Sequence, residues 1–148
     1  MTPSKPKART RRTVARPTAS QIAPGVYVGG WDDAVRFEGT RVCVLDEVPD
    51  EKLPAEAHVP IYDDVKDRPI RDNLDRVADL VDAARAKNQP VLLFCGHGIR
   101  RGSLAGAWYL HRHDGISLDA AFDRVRAARP KIQHVKDWVG GWKTLVEP

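Results

Sequence analysis

The stretch from Pro90 to Arg101, PVLLFCGHGIRR, constrains the fold more than any other. Val91-Leu92-Leu93-Phe94 is apolar at successive positions, so a strand there must be covered on both faces. A short loop with two glycines, Cys95–Arg101, follows it, and a helical pattern then runs from about Gly102 to His113. A doubly covered strand that feeds a helix is the repeating unit of an α/β sheet.

Signals elsewhere repeat that unit. Val26-Tyr27-Val28, after Pro24-Gly25, reads as a strand, and so does Arg41–Leu45, RVCVL. His58–Tyr62, HVPIY, reads as a third, with Pro60 placing it at an edge or a strand end. Leu74, Val77, Ala78, Val81 and Ala84 recur at helical spacing and predict a helix from about Asp72 to Lys87. Ser117 can cap a helix whose inner face is Leu118, Ala121, Phe122 and Val125, ending before Pro130. Val135, Trp138, Val139, Trp142 and Leu145 predict a last helix, weakened by Gly140-Gly141. Trp108, Trp138 and Trp142 sit at helical spacing among apolar residues and read as core. The expectation is a central, mostly parallel sheet flanked by helices.

A chain of 148 residues makes one ordinary domain. Its apolar runs are far too short to span a bilayer. Cys43 and Cys95 are too few for a disulfide framework, which points to a reducing compartment such as the cytoplasm. The net charge of +4 is unevenly distributed. Residues 1–20 carry six Lys/Arg and no acid, residues 21–99 carry nine against fifteen acids, and residues 100–148 carry nine against five. The first segment has three prolines and few large apolar side chains, so it reads as a disordered basic tail ahead of a domain at 21–148. Its plain role is solubility; its sharper one is an electrostatic tether to nucleic acid or another anionic partner.

Chemistry concentrates in the loop after the apolar strand. At such a strand-to-helix junction, backbone N–H groups and the helix N-terminus form a cradle for phosphate or sulfate. The same surroundings stabilise a thiolate at Cys95. Arg101 can fork two phosphoryl oxygens in a way lysine cannot. Nucleophile, cradle and clamp are the parts needed for covalent phosphoryl transfer to cysteine. The leaving oxygen needs a proton, and Asp63 or Asp64, after HVPIY, could supply it. No metal or cofactor is required, and the five histidines show no zinc spacing. The plain alternative is that Cys95 is a small buried residue, as Cys43 reads between Val42 and Val44.

These residues resemble the dual-specificity branch of the cysteine-dependent protein tyrosine phosphatases, over about residues 21–139. Ile22-Ala23-Pro24-Gly25-Val26-Tyr27-Val28-Gly29-Gly30 is similar to the family's opening strand, and Val42-Cys43-Val44-Leu45 to its next. Val59-Pro60-Ile61-Tyr62-Asp63 is similar to the acid segment, with the match on Asp63. Cys95-Gly96-His97-Gly98-Ile99-Arg100-Arg101 matches the Cys-x5-Arg loop, and Ser117–Pro130 the helix after it. The resemblance implies a protein phosphatase acting on phosphotyrosine, phosphoserine or phosphothreonine. Cys95 would be nucleophile, Arg101 clamp and Asp63 acid, while Gly96, His97, Gly98, Ile99 and Arg100 would bind phosphate with Arg101.

Two departures stand out. Phe94 replaces the family's usual His, and Gly102 replaces its usual Ser or Thr, with Ser103 one position late. They keep open a slow enzyme or a phosphate-binding module without turnover. The Cys-x-His-Gly-x2-Arg-Gly pattern also resembles RNA 5′-phosphatases of the superfamily. His97 and Arg100 would suit a highly anionic ligand such as a phosphoinositide. A rhodanese-type sulfur transferase is a further class that sets Cys on such a loop, without an upstream acid.

Overall fold

The structure, a computed structural model, describes residues 19–46 and 55–146. A five-stranded sheet forms its centre. In chain order, its strands are Ser20–Ala23 (β1), Val26–Gly29 (β2), Thr40–Cys43 (β3), Ala57–His58 (β4) and Val91–Phe94 (β7). Tyr62–Asp63 (β5) and Arg68–Pro69 (β6) form a separate two-stranded hairpin. The helices are Trp31–Arg36 (α1), Arg71–Ala86 (α2), Arg101–Asp114 (α3), Leu118–Ala128 (α4) and Lys143–Val146 (α5).

The sheet order is β1-β2-β7-β3-β4. The β2, β7, β3 and β4 neighbours pair in parallel, and β1 pairs antiparallel with β2. Strand β7 is therefore central, and the alternation along it explains its composition. Val91, Leu93 and Cys95 join the main core with α2, α3 and α4. Leu92 and Phe94 face the other side, where they cluster with Cys43 of the neighbouring strand and with Ala34 and Trp31 of α1. Complete burial of Leu92 and Phe94 contributes about 1.5–3 kcal/mol each. Cys43 is wholly buried there, as a core residue would be.

Helix α3 lies in the main core, buried continuously from Gly102 to Leu110. Gly106 lets it press against the first hairpin, because a Cβ there would come 2.8 Å from both Ile22 Cδ1 and Val28 Cγ2. Helix α4 starts as expected, with the Ser117 side chain accepting from the N–H of Ala120.

Several expectations need correction. HVPIY is not one strand: β4 ends at His58, and Tyr62 begins the separate hairpin. Pro60 has no N–H to give a ladder. The last predicted helix is a 3-10 turn at Val135–Asp137 and the short α5, divided at Gly140-Gly141. Trp108 is core as expected, whereas Trp138 and Trp142 are only half-buried. Helix α1 went unread because six residues are too few to show a period. Of the expected tail, residues 1–18 lie outside the described residues, and Ser20 already opens β1. Among the described residues, no helix is long and apolar enough to cross a membrane.

Candidate active site

Cys95 directly follows β7 and Arg101 begins α3, so the loop between them lies at the N-terminus of the helix. The loop carbonyls are held away from the thiol. Gly96 O accepts from Trp31 N at 3.0 Å. His97 O and Gly98 O each accept from the Arg129 guanidinium at 3.0 Å. Ile99 O accepts from Gln133 N at 2.9 Å and Ser103 Oγ at 2.7 Å. Arg100 O accepts from the same Ser103 hydroxyl and from Leu104 N. In a trans peptide the next N–H points opposite to the carbonyl. Carbonyls turned out along the loop therefore turn the following N–H groups in, as an anion cradle requires.

The sulfur lies at the foot of this cradle. Cys95 Sγ accepts from Gly98 N at 3.1 Å and Gly102 N at 3.3 Å, the latter in the first turn of α3. Gly98 has φ +69°, and a Cβ there would come 2.7 Å from the Gly29 backbone, so the turn requires glycine.

A cavity of about 710 Å³ opens above the sulfur. Gly96, His97, Ile99, Arg100 and Arg101 line it with Cys95, and so do Leu45, Tyr62, Asp64, Asp67, Gln133 and Trp138. Tyr62 and Trp138 form one wall, their rings 5.4 Å apart, with Arg100 over the Trp138 ring. Trp138, read from sequence as core, therefore belongs to the site. Burial, and then the Asp67 carboxylate that accepts its hydroxyl, push the Tyr62 phenol up to about 12. That hydroxyl stays protonated at neutral pH.

The paired acids diverge. Asp63 Oδ1 accepts from the N–H groups of Val65 and Lys66 at 3.0 and 3.1 Å. Its carboxylate is fixed in a turn and lines a different pocket, beside Arg68 and Arg71. Asp64 lines the Cys95 cavity and pairs with Arg101 Nη2 at 2.8 Å. Arg101 Nη1 meets Asp46 at 3.4 Å. The Asp64 carboxyl is raised above the usual carboxylate range, first by its hydrogen bond with Asp46 and then by burial. These causes outweigh Arg101, which pulls the other way. Two carboxylates on one guanidinium favour sharing a proton.

Of the two departures, Phe94 has a structural reason and Gly102 has none. Phe94 points into the apolar layer, edge-on to Trp31 at 6.1 Å, where an imidazole would need a polar partner. At Gly102 an added Cβ would be 3.4 Å from Cys95 Sγ, an ordinary contact. Ser103 does not replace the missing hydroxyl, because its Oγ is committed to loop carbonyls. Gly102→Ser fits the site and places a donor beside the sulfur. It is expected to raise kcat about tenfold if sulfur departure limits turnover, the effect of one hydrogen bond to a charged group. Burst kinetics check this, and an unchanged decay of the covalent intermediate would reject it.

Kinship agrees with this geometry. The family model "Dual specificity phosphatase, catalytic domain" matches residues 40–141. The chain is 30% identical to mouse dual specificity phosphatase 28 over 125 residues, covering 78% of this chain and 76% of that one. It is 28% identical to the human protein of that name over 139 residues, covering 88% and 78%. A crystal structure of a mouse putative dual specificity phosphatase complexed with zinc tungstate superposes with a TM-score of 0.75 at 28% identity, covering 93% of this chain and 90% of that one. Human DUSP28 gives 0.70 at 27% identity, covering 90% and 93%. These relatives favour protein substrates over the RNA and phosphoinositide alternatives. With a thiol at the foot of an N–H cradle and kin of this kind, the chain belongs to the dual specificity phosphatases and is a cysteine-dependent protein phosphatase.

Proposed function

We propose that Cys95 is the nucleophile, Arg101 the clamp and Asp64 the acid and then the base. The outward-turned carbonyls from Gly96 to Arg100 carry this reading, since they leave N–H groups to receive three phosphoryl oxygens. Arg101 exchanges its two carboxylates for two of those oxygens. The Cys95 sulfur then attacks phosphorus in line, and the bond to the leaving oxygen breaks as Asp64 gives that oxygen its proton. The resulting Asp64 carboxylate takes a proton from water, which attacks phosphorus and releases the sulfur and inorganic phosphate. Gly96, His97, Gly98, Ile99 and Arg100 serve the phosphate through their backbones.

Geometry prefers Asp64 to Asp63, whose carboxylate would first have to leave Val65 and Lys66. Asp64→Asn is expected to slow hydrolysis of an aryl phosphate about 10²-fold, within the range of general acid catalysis, while Asp63→Asn costs less than tenfold. The acid works protonated, so the wild-type rate falls as pH rises through the Asp64 value. That basic limb flattens in Asp64→Asn. The opposite ranking of the variants would return the role to Asp63.

An aryl substrate has more to bury against Tyr62, Trp138 and Leu45 than a phosphoserine does, so we take phosphotyrosine as the preferred residue. Side-by-side turnover of phosphotyrosine and phosphoserine peptides tests this. The thiol chemistry suits the reducing cytoplasm. The six Lys/Arg of residues 1–20 suit attraction of anionic partners.

A further inference from the structure

We propose that Arg129 is a positioning residue of the phosphate loop, holding it open from behind while touching no substrate. The proposal rests on the phosphate-loop reading above. Arg129 follows α4, 31 residues after Gly98 in sequence, and its guanidinium reaches the back of the loop. Nε donates to Gly98 O and Nη2 to His97 O, both at 3.0 Å. On its other side, Nη1 donates to Ser20 Oγ at 3.0 Å and to Val28 O at 3.4 Å. One planar group thus ties the loop to β1 and β2.

The position of those two carbonyls matters. They belong to the peptides on either side of Gly98, the loop residue with φ +69°. Holding His97 O outward aims the Gly98 N–H at Cys95 Sγ, where it lies at 3.1 Å. Holding Gly98 O outward turns the Ile99 N–H to the cavity side. The other loop carbonyls, of Gly96, Ile99 and Arg100, have donors from Trp31, Gln133, Ser103 and Leu104. The fork geometry of a guanidinium serves two neighbouring carbonyls together, whereas an ammonium serves them as a point charge. Arg129 lines a third cavity with Ser20, Asp33 and Pro130, while Cys95 and Arg101 line the first. It therefore acts on the reaction through the loop.

The test compares wild type, Arg129→Ala and Arg129→Lys. Inorganic phosphate binding is followed by the backbone amide resonances of residues 96–102, alongside kcat/KM on an aryl phosphate and Tm. In Arg129→Ala, phosphate affinity is expected to fall at least ~30-fold and kcat/KM about 10²-fold, the loss typical of misplaced groups. Millimolar guanidinium should restore part of both without raising Tm. Arg129→Lys should lie between the two and still lose at least ~10-fold, as the fork geometry requires. Should Arg129→Ala fail to fold, Arg129→Lys decides alone. Phosphate affinity within threefold of wild type in a folded variant overturns the proposal. So does a loss that follows Tm and ignores guanidinium. If wild type itself neither binds phosphate nor turns over substrate, the phosphatase reading fails instead.

Discussion

Cys95→Ser is expected to lower turnover of an aryl phosphate by at least ~10⁴-fold, the scale seen when a covalent nucleophile is removed. A hydroxyl is smaller than the thiol but can accept the same bonds from Gly98 and Gly102. It is far harder to ionise than the thiol, and so a much weaker nucleophile at neutral pH. The cradle remains, so inorganic phosphate should bind the variant within about threefold of wild type by amide-resonance titration, since the donors of the anion site are unchanged. Mass spectrometry of quenched wild type should show one phosphoryl group on Cys95, absent from the variant. Turnover retained by Cys95→Ser would dispose of the covalent route. Loss of phosphate binding as well would mean that the sulfur, rather than the outward-held carbonyls, organises the loop.

Arg101→Lys has the next largest expected effect, a fall of roughly 10³-fold in kcat/KM, comparable to removing an arginine from a phosphoryl-transfer site. Lysine keeps the charge but has no planar fork, and the fork is what meets two equatorial oxygens together. In wild type that fork already spans Asp46 and Asp64, at 3.4 and 2.8 Å, above the Tyr62 ring. The loss should appear in both kcat and KM, because the clamp grips ground state and transition state. A decrease smaller than tenfold would mean that the N–H cradle alone carries the phosphoryl charge.

The strand, loop and helix of the site could be read from sequence because each obeys a local rule. Four apolar residues in a row demanded two covering layers, and both layers exist. Ser117 announced α4, and the period from Leu74 to Ala84 announced α2. What stayed hidden depends on contacts between distant segments. Nothing in the local sequence of Trp138 distinguishes a core tryptophan from a cavity wall; its ring meets Tyr62, a contact between distant segments. Asp63 and Asp64 differ by one position, and which of them faces Cys95 is set by the turn between β5 and β6. The donors to His97 O and Gly98 O come from a side chain beyond α4, a pairing no spacing rule anticipates.

Arg101 also has a kinetic consequence. Before substrate arrives, the clamp is already occupied by two carboxylates of its own chain. An incoming phosphate is thus a competitor rather than a guest in an empty seat, and its apparent affinity is discounted by the fraction of enzyme whose clamp is engaged elsewhere. Product phosphate suffers the same discount. On the proposed role of Arg101, the carboxylates that weaken capture of the substrate weaken retention of the product as well.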